Sequence, residues 1–212
     1  MNRLSLILFS CIFTINLAFS QDEVAKQILD DLSEKGKLYT DITAEFKFNF
    51  SNSNQEINED SEGKIWIKED MYKLDMSSDL SIINNGETLW YFMKDVPEVQ
   101  IMENDPEDEM NPSKIFTIYE KGYKYEYKGA ESINSARIHK INLFQNENDT
   151  INVVTLYIDA EKTELIKIKI MEKGGGTSTY TITKFITNSN LPTSTFNFKR
   201  KDHPNVEVID LR

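Results

Sequence analysis

From residue 42 to the C-terminus, apolar and polar residues alternate in segment after segment, and this period-two pattern limits the fold more than any other feature. In the first segment Ile42, Ala44, Phe46, Phe48 and Phe50 alternate with Thr43, Glu45, Lys47 and Asn49. Successive side chains of a strand point to opposite faces, so this is a strand with one buried face. Similar short segments follow at 63–68, 72–76, 81–83, 89–93, 98–102, 123–127, 137–143, 154–158, 165–170, 179–186, 195–198 and 206–209. Allowing for fusions and weak ends, the pattern predicts about ten or eleven strands, most joined by turn-length links. Such a chain is mainly β, with an antiparallel and strongly curved sheet. Asn84-Asn85-Gly86 carries a hairpin signal, and Gly174-Gly175-Gly176 marks a turn. The polar, acidic stretch 51–62 reads as a loop or a loose hairpin end.

Helical spacing occurs twice. Val24, Ala25, Ile28, Leu29 and Leu32 form one apolar stripe over residues 22–37, with Gly36 placed to end the helix. Asn111-Pro112-Ser113 then supplies a cap residue with proline at the first helical position, followed by Ile115, Phe116, Ile118 and Tyr119 before Gly122. Residues 112–120 are therefore expected to form a short amphipathic helix. Two helices are little material to cover ten strands. The alternation alone fits an ordinary core packed by helices, while the shortage of helix points instead to part of an aromatic-rich, uncharged sheet face left for a ligand.

The N-terminus is a separate piece. Arg3 gives a short basic start, residues 4–19 are almost continuously apolar, and Ala18-Phe19-Ser20 offers small residues at a cut before Gln21. This reads as a secretory signal peptide over residues 1–20, with one domain over 21–212. Cys11 is the single cysteine and lies in that leader. Leu8-Phe9-Ser10-Cys11 faintly resembles a lipoprotein cleavage box, but Phe9 is bulky for it and Ile12-Phe13 continue the apolar run. The processed chain then has no thiol, hence no disulfide framework, cysteine nucleophile or cysteine-based metal site. A short leader without disulfides points to a Gram-negative periplasm.

Charge and motifs exclude further classes. The net charge of −11, which loss of Arg3 makes one unit more negative, lacks the basic stripe that nucleic acid requires. Neither His139 nor His203 has a second ligand at metal spacing, and His139 reads as a surface residue. Glu103, Asp105, Glu107, Asp108 and Glu109 lack calcium-loop spacing and are interrupted by Pro106, so they read as a solvated loop. There is no nucleophile elbow, zinc-binding helix or phosphate loop. No pair of carboxylates stands out for glycosidic chemistry.

The order of the pieces resembles the outer-membrane lipoprotein carrier family, the LolA-type periplasmic chaperones, over residues 24–209. The likeness rests on the first helix leading into Tyr39-Thr40-Asp41-Ile42-Thr43-Ala44-Glu45-Phe46, and on Gly63-Lys64-Ile65-Trp66-Ile67-Lys68. It rests also on Ile82-Ile83-Asn84-Asn85-Gly86-Glu87-Thr88-Leu89-Trp90-Tyr91-Phe92, on Asn111-Pro112-Ser113-Lys114-Ile115-Phe116, and on Phe196-Asn197-Phe198 with Val206-Glu207-Val208-Ile209-Asp210. The resemblance implies an incomplete antiparallel barrel whose apolar concave face is lidded by helices and carries acyl chains. Matched positions put Ile42, Ala44, Phe46, Phe48, Tyr72, Leu74 and Met76 in that cavity, and Ile115, Phe116, Ile118 and Tyr119 in the lid; alternation adds Ile65 and Ile67 to the lining, and Trp90 and Phe92 are counted with it although the sequence does not fix their face. One departure matters. Family members have a lid-tying arginine after the Trp-x-Lys of Trp66-Ile67-Lys68, whereas Glu69 stands here, so a latch must use other partners.

What the resemblance implies is a periplasmic, monomeric, non-enzymatic carrier without a cofactor. It would take acylated lipoproteins from an inner-membrane lipoprotein-releasing ABC transporter to the outer membrane, directly or through a receptor there, with no nucleic-acid partner. At ~0.8 kcal/mol per CH₂, a chain of about sixteen carbons costs on the order of 10 kcal/mol to expose to water, which is why such cargo needs a carrier. Net acidity would keep the carrier from adsorbing to anionic membranes. The alternatives are a lipoprotein-sensing envelope-stress regulator on the same fold, and a lipid- or glycan-modifying enzyme with inward carboxylates of raised pKa.

Overall fold

Twelve strands pair into a single sheet: β1 (Ile42–Asn52), β2 (Ile57–Lys68), β3 (Met71–Met76), β4 (Leu80–Asn84), β5 (Thr88–Met93), β6 (Glu98–Glu103), β7 (Lys124–Ile133), β8 (Ala136–Phe144), β9 (Ile151–Asp159), β10 (Glu164–Glu172), β11 (Gly176–Thr187) and β12 (Glu207–Asp210). The computed structural model describes residues 21–77, 79–106, 111–144 and 150–212. The leader with Cys11, and Glu107, Asp108 and Glu109, lie outside the described residues. The strand order is β12-β6-β5-β4-β3-β2-β1-β11-β10-β9-β8-β7, so β12 and β7 form the two ends of a curved sheet that does not close on itself. This is the curved sheet expected from the alternation and the incomplete barrel that the resemblance implies.

The pairing is antiparallel except at one edge, where β12 runs parallel to β6. An all-antiparallel sheet was the expectation. The exception follows from connectivity: β11 ends beside β1 near the middle of the sheet, and the chain must cross strands β1–β5 to reach β6. On that crossing Phe196 is fully buried in a 3₁₀ turn, Thr193–Phe196, where a strand over 195–198 was expected. Pro192 precedes it and donates no hydrogen bond, and no free sheet edge lies along this path for a strand to join.

Residues 51–62 are not a loop. β1 and β2 pair continuously from Ile42↔Ile67 to Asn52↔Ile57, leaving a four-residue turn. The side chain of Asn49 donates to Asn58 and Asp60 at 2.9 Å each. On the β2 side, residues 58–62 are polar on both faces, so this stretch carries no alternation although its backbone ladder is complete.

The α-helix α1 (Gln21–Lys37) has Asp22 and Glu23 in its first turn and Lys35 and Lys37 in its last, which suits the helix dipole. Its stripe Ala25, Leu29 and Leu32 is 0–2 % exposed and packs on Ile141, Leu143, Val154 and Leu156 of the β8–β9 inner face. Gly36 does not end this helix but lies inside it. A Cβ there would stand 2.8 Å from Cβ of Phe116, so the glycine serves close approach of the following segment.

That segment differs from the expected helix over 112–120. Asn111 does act as cap, its Oδ1 accepting from the Ser113 amide, but two 3₁₀ turns follow, Pro112–Lys114 and Ile118–Lys121. Thr117, at φ −120° and ψ 5°, interrupts them, and Gly122 at φ 86° ends the run. So few residues cannot repay an α-helical nucleus. Their path is set by side chains anchored below, as the cavity shows.

Candidate functional site: a lidded apolar cavity

An apolar cavity of about 190 Å³ lies between the inner face of the sheet and residues 111–116. One wall is Ile42, Ala44 and Phe46 of β1 with Ile65 and Ile67 of β2 and Leu74 of β3. The register explains their convergence: Ile42↔Ile67, Ala44↔Ile65 and Phe46↔Gly63 are cross-strand partners, so period two brings them to one face. On the other side of β1 the lining continues along the sheet as a second wall, with Tyr180, Ile182 and Phe185 of β11, Leu165, Ile168 and Ile170 of β10 and Val154 of β9. Asn111, Pro112, Ile115 and Phe116 form the roof. None of the described lining residues is charged. Asn111 turns its oxygen to the Ser113 amide and hydroxyl, and burial, with Glu172 nearby, pushes the Tyr180 phenol up so that it stays neutral. The chamber therefore favours an aliphatic ligand over a polar one.

Of the positions anticipated from sequence, Ile42, Ala44, Phe46, Ile65, Ile67, Leu74, Ile115 and Phe116 meet at this cavity. Tyr72, the cross-strand partner of Ile67, is buried on the same inner face against Ile42 and Ile67, beside the cavity lining. Phe48 continues the wall beyond the cavity, its ring 4.9 Å from that of Tyr180. The Met76 sulfur lies at Gly63, beside the Phe46 ring. Tyr119 points to α1, and the side chain of Ile118 lies outside the described residues.

Trp90 and Phe92 require correction. Cross-strand pairing carries the inner face from Leu74 to Ile82 and then to Tyr91, so Trp90 and Phe92 occupy the outer face. There they pack with Val99, Phe198 and Val206, with the Phe92 ring 4.5 Å from that of His203. Phe92→Ala should cost about 3 kcal/mol of stability, the usual range for a buried aromatic. Chemical denaturation checks that, and affinity of the folded fraction for an acyl probe should stay unchanged.

The second wall was missed, although it carries the same signal. Val154, Leu156 and Ile158 alternate, as do Ile168 and Ile170, and Tyr180 and Ile182. Register shifts between Leu165 and Lys167, and on β11 opposite Glu45 and Phe46, change the phase of the alternation.

A polar seam ties the roof to α1. The Tyr119 hydroxyl donates to Asp30 at 2.8 Å. Ser33 and Lys37 both donate to Oε1 of Glu120, at 2.8 Å each. Hydrogen bonds from Lys26 and then Tyr119 hold the Asp30 carboxyl below its usual range, and those from Lys37 and Ser33 do the same for Glu120. Burial and the Asp30 bond push the Tyr119 phenol upward. Glu69 takes no part. It stands exposed in the β2–β3 turn at φ 54°.

His139 is not the surface residue expected. It is half-buried, with Nδ1 2.8 Å from the Tyr127 hydroxyl, and burial followed by the charge of Arg137 holds its pKa down. Among the described residues no group of three or more His, Cys, Asp or Glu side chains could hold a metal ion. Nor is any helix among them long and apolar enough to cross a membrane.

Comparisons with known proteins place this geometry. The chain superimposes on an uncharacterized conserved protein from Thermus thermophilus with a TM-score of 0.58 at 12 % identity, over 88 % of this chain and 99 % of that one. A LolA superfamily protein from Nitrosomonas europaea aligns at 14 % identity with a TM-score of 0.45, over 82 % and 97 %. The lipoprotein LppX of Mycobacterium tuberculosis aligns at 13 % identity with a TM-score of 0.44, over 79 % and 98 %. No curated protein matches the sequence. The sequence profile of the family described as outer membrane lipoprotein carrier protein LolA matches residues 37–199, most of the chain. The chain belongs to the LolA family.

Proposed function

We propose that the protein is a periplasmic, non-enzymatic carrier that holds the acyl chains of lipoproteins in this cavity. It would receive them from an inner-membrane lipoprotein-releasing ABC transporter and deliver them to the outer membrane, directly or through a receptor. A leader cleaved before Gln21 would export it as one domain over 21–212. The observation that carries the reading is the uncharged cavity under a roof held by side chains rather than by regular structure. At about 190 Å³ the cavity under this roof falls short of the ~300–1,000 Å³ usual for ligand sites. Cargo entry therefore displaces the roof, and the roof's own apolar contacts compete with cargo for release.

Family membership supports this class of activity, and the apolar lining weighs against the enzyme alternative. Every described carboxylate with a resolved shift, namely Asp30, Asp41, Glu45, Glu120 and Asp210, is lowered rather than raised. The sensor alternative shares the cavity and differs in its partner. Native mass spectrometry of protein recovered from the periplasm should find acylated protein bound, released in favour of acceptor membranes. Recovery with a signalling protein and no transfer would favour the sensor.

A further inference from the structure

The outer face of the sheet carries a row of lysines in an otherwise acidic molecule. In a chain of net −11, Lys47, Lys167 and Lys140 stand in one transverse row, interleaved with Thr181 and Tyr157: Lys47↔Thr181, Thr181↔Lys167, Lys167↔Tyr157 and Tyr157↔Lys140 are successive cross-strand partners. Lys169 follows two residues along β10 and faces Thr179 and Thr155. Lys64 and Lys184 flank the row, both against Glu45 at 3.1 and 3.8 Å. Lys47, Lys167 and Lys169 make no ion pair among the described residues.

Two aromatic rings organise these cations. Lys140 and Lys167 lie 5.5 and 4.5 Å from the Tyr157 ring, and Lys64 and Lys73 each lie 5.1 Å from that of Trp66. Lys140, Lys64 and Lys73 also pair with Glu131, Glu45 and Asp75, whereas stacking fixes the stem of Lys167 and leaves its ammonium group available to a partner. Row lysines sit on alternate strands, so about 10 Å, two strand spacings, separates neighbours and limits their mutual repulsion.

We propose that this lysine-bearing outer face docks an acidic polypeptide segment of a partner protein, at a surface separate from the cavity. Lys167 and Lys169 are two residues apart on one strand, roughly 6.6 Å, which is also the spacing of alternate side chains in an extended peptide. Thr179 and Thr181 add hydroxyl donors beside them. A bilayer fits less well. The face is convex, its rings are covered by lysine stems instead of protruding, and the net negative charge opposes approach to an anionic surface. Charge contacts of this kind set encounter rate and partner choice more than final affinity. The assignment is independent of what the cavity carries.

The test is amide chemical-shift mapping of the purified protein at low salt, with a twelve-residue peptide of alternating Glu and Thr and, separately, phosphatidylglycerol vesicles. The peptide should shift Lys47, Tyr157, Lys167, Lys169 and Thr181. The double charge reversal K47E/K167E should weaken it about tenfold and the milder K47Q/K167Q about threefold, as two exposed charge contacts would. Acyl-probe affinity should be unaltered in both variants, which separates this surface from the cavity. Peptide shifts confined to other faces, no response to either double variant, or binding of vesicles without peptide would each overturn the assignment.

Discussion

Phe46→Glu is expected to abolish acyl-chain binding while leaving most of the sheet intact. Phe46 is 6 % exposed, lines the cavity, and sets its ring 5.6 Å from that of Tyr180. It can cross toward β2 because its partner there is Gly63, whose hypothetical Cβ would lie 2.3 Å from the Phe46 Cζ. None of the described lining residues is cationic, so an introduced carboxylate has no partner among them. It either stays charged at a cost or takes up a proton with a raised pKa. Seating an aliphatic chain against it means burying an uncompensated polar group, a penalty of at least ~3 kcal/mol, or about a hundredfold in affinity. Phe46→Leu keeps the lining apolar and should lose far less. Displacement of a fluorescent fatty-acyl probe checks both variants, with lipoprotein release from spheroplasts as the functional readout. Release at the wild-type level by Phe46→Glu would sink the cavity assignment.

How much of this could be read from sequence depended on whether a strand had one wet face. Ile42, Ala44 and Phe46 alternate with Thr43 and Glu45, and that contrast located both the strand and its inner side. In β5 the run Leu89-Trp90-Tyr91-Phe92-Met93 is apolar throughout, because the crossing segment with Phe198 and Val206 covers its outer face. Without contrast the phase is unreadable, and Trp90 and Phe92 went to the wrong side. Residues 58–62 fail in the opposite way, being polar on both faces, so a fully paired strand looked like a loop. The roof failed for another reason. Its cap at Asn111 was legible as local chemistry, but its 3₁₀ path depends on where Phe116 and Tyr119 find partners on distant elements. Nor could spacing place Asp30, Ser33 and Lys37 opposite Tyr119 and Glu120, some 80 residues apart in sequence.

Gly36→Ala is expected to open the roof, against what helix propensity alone would suggest. In a helix interior alanine is favoured over glycine by about 1 kcal/mol. Here the added methyl would stand 2.8 Å from Cβ and 2.9 Å from Cγ of Phe116. Those atoms adjoin the backbone, so the ring cannot simply swing aside, and the roof itself must move. Phe116 is packed against both the α1 cluster and the β1–β3 cluster, with its ring 6.2 Å from that of Tyr39. Displacing it loosens both contacts together. The variant should therefore bind an apolar dye more strongly and exchange an acyl probe several-fold faster in both directions, with a modest loss of stability. Acid should act on the same seam. Asp30 and Glu120 have lowered folded-state pKa values, so their stabilisation is complete above the ordinary carboxylate range near ~4 and is lost as pH falls through the folded values. Wild-type protein should thus gain dye binding below about pH 4, and Glu120→Gln should show part of that gain already at neutral pH. Unchanged exchange rates in Gly36→Ala, measured by stopped-flow displacement, would mean that the roof does not gate the cavity. Faster exchange with the cavity wall intact would assign ligand release to the contact between α1 and the roof.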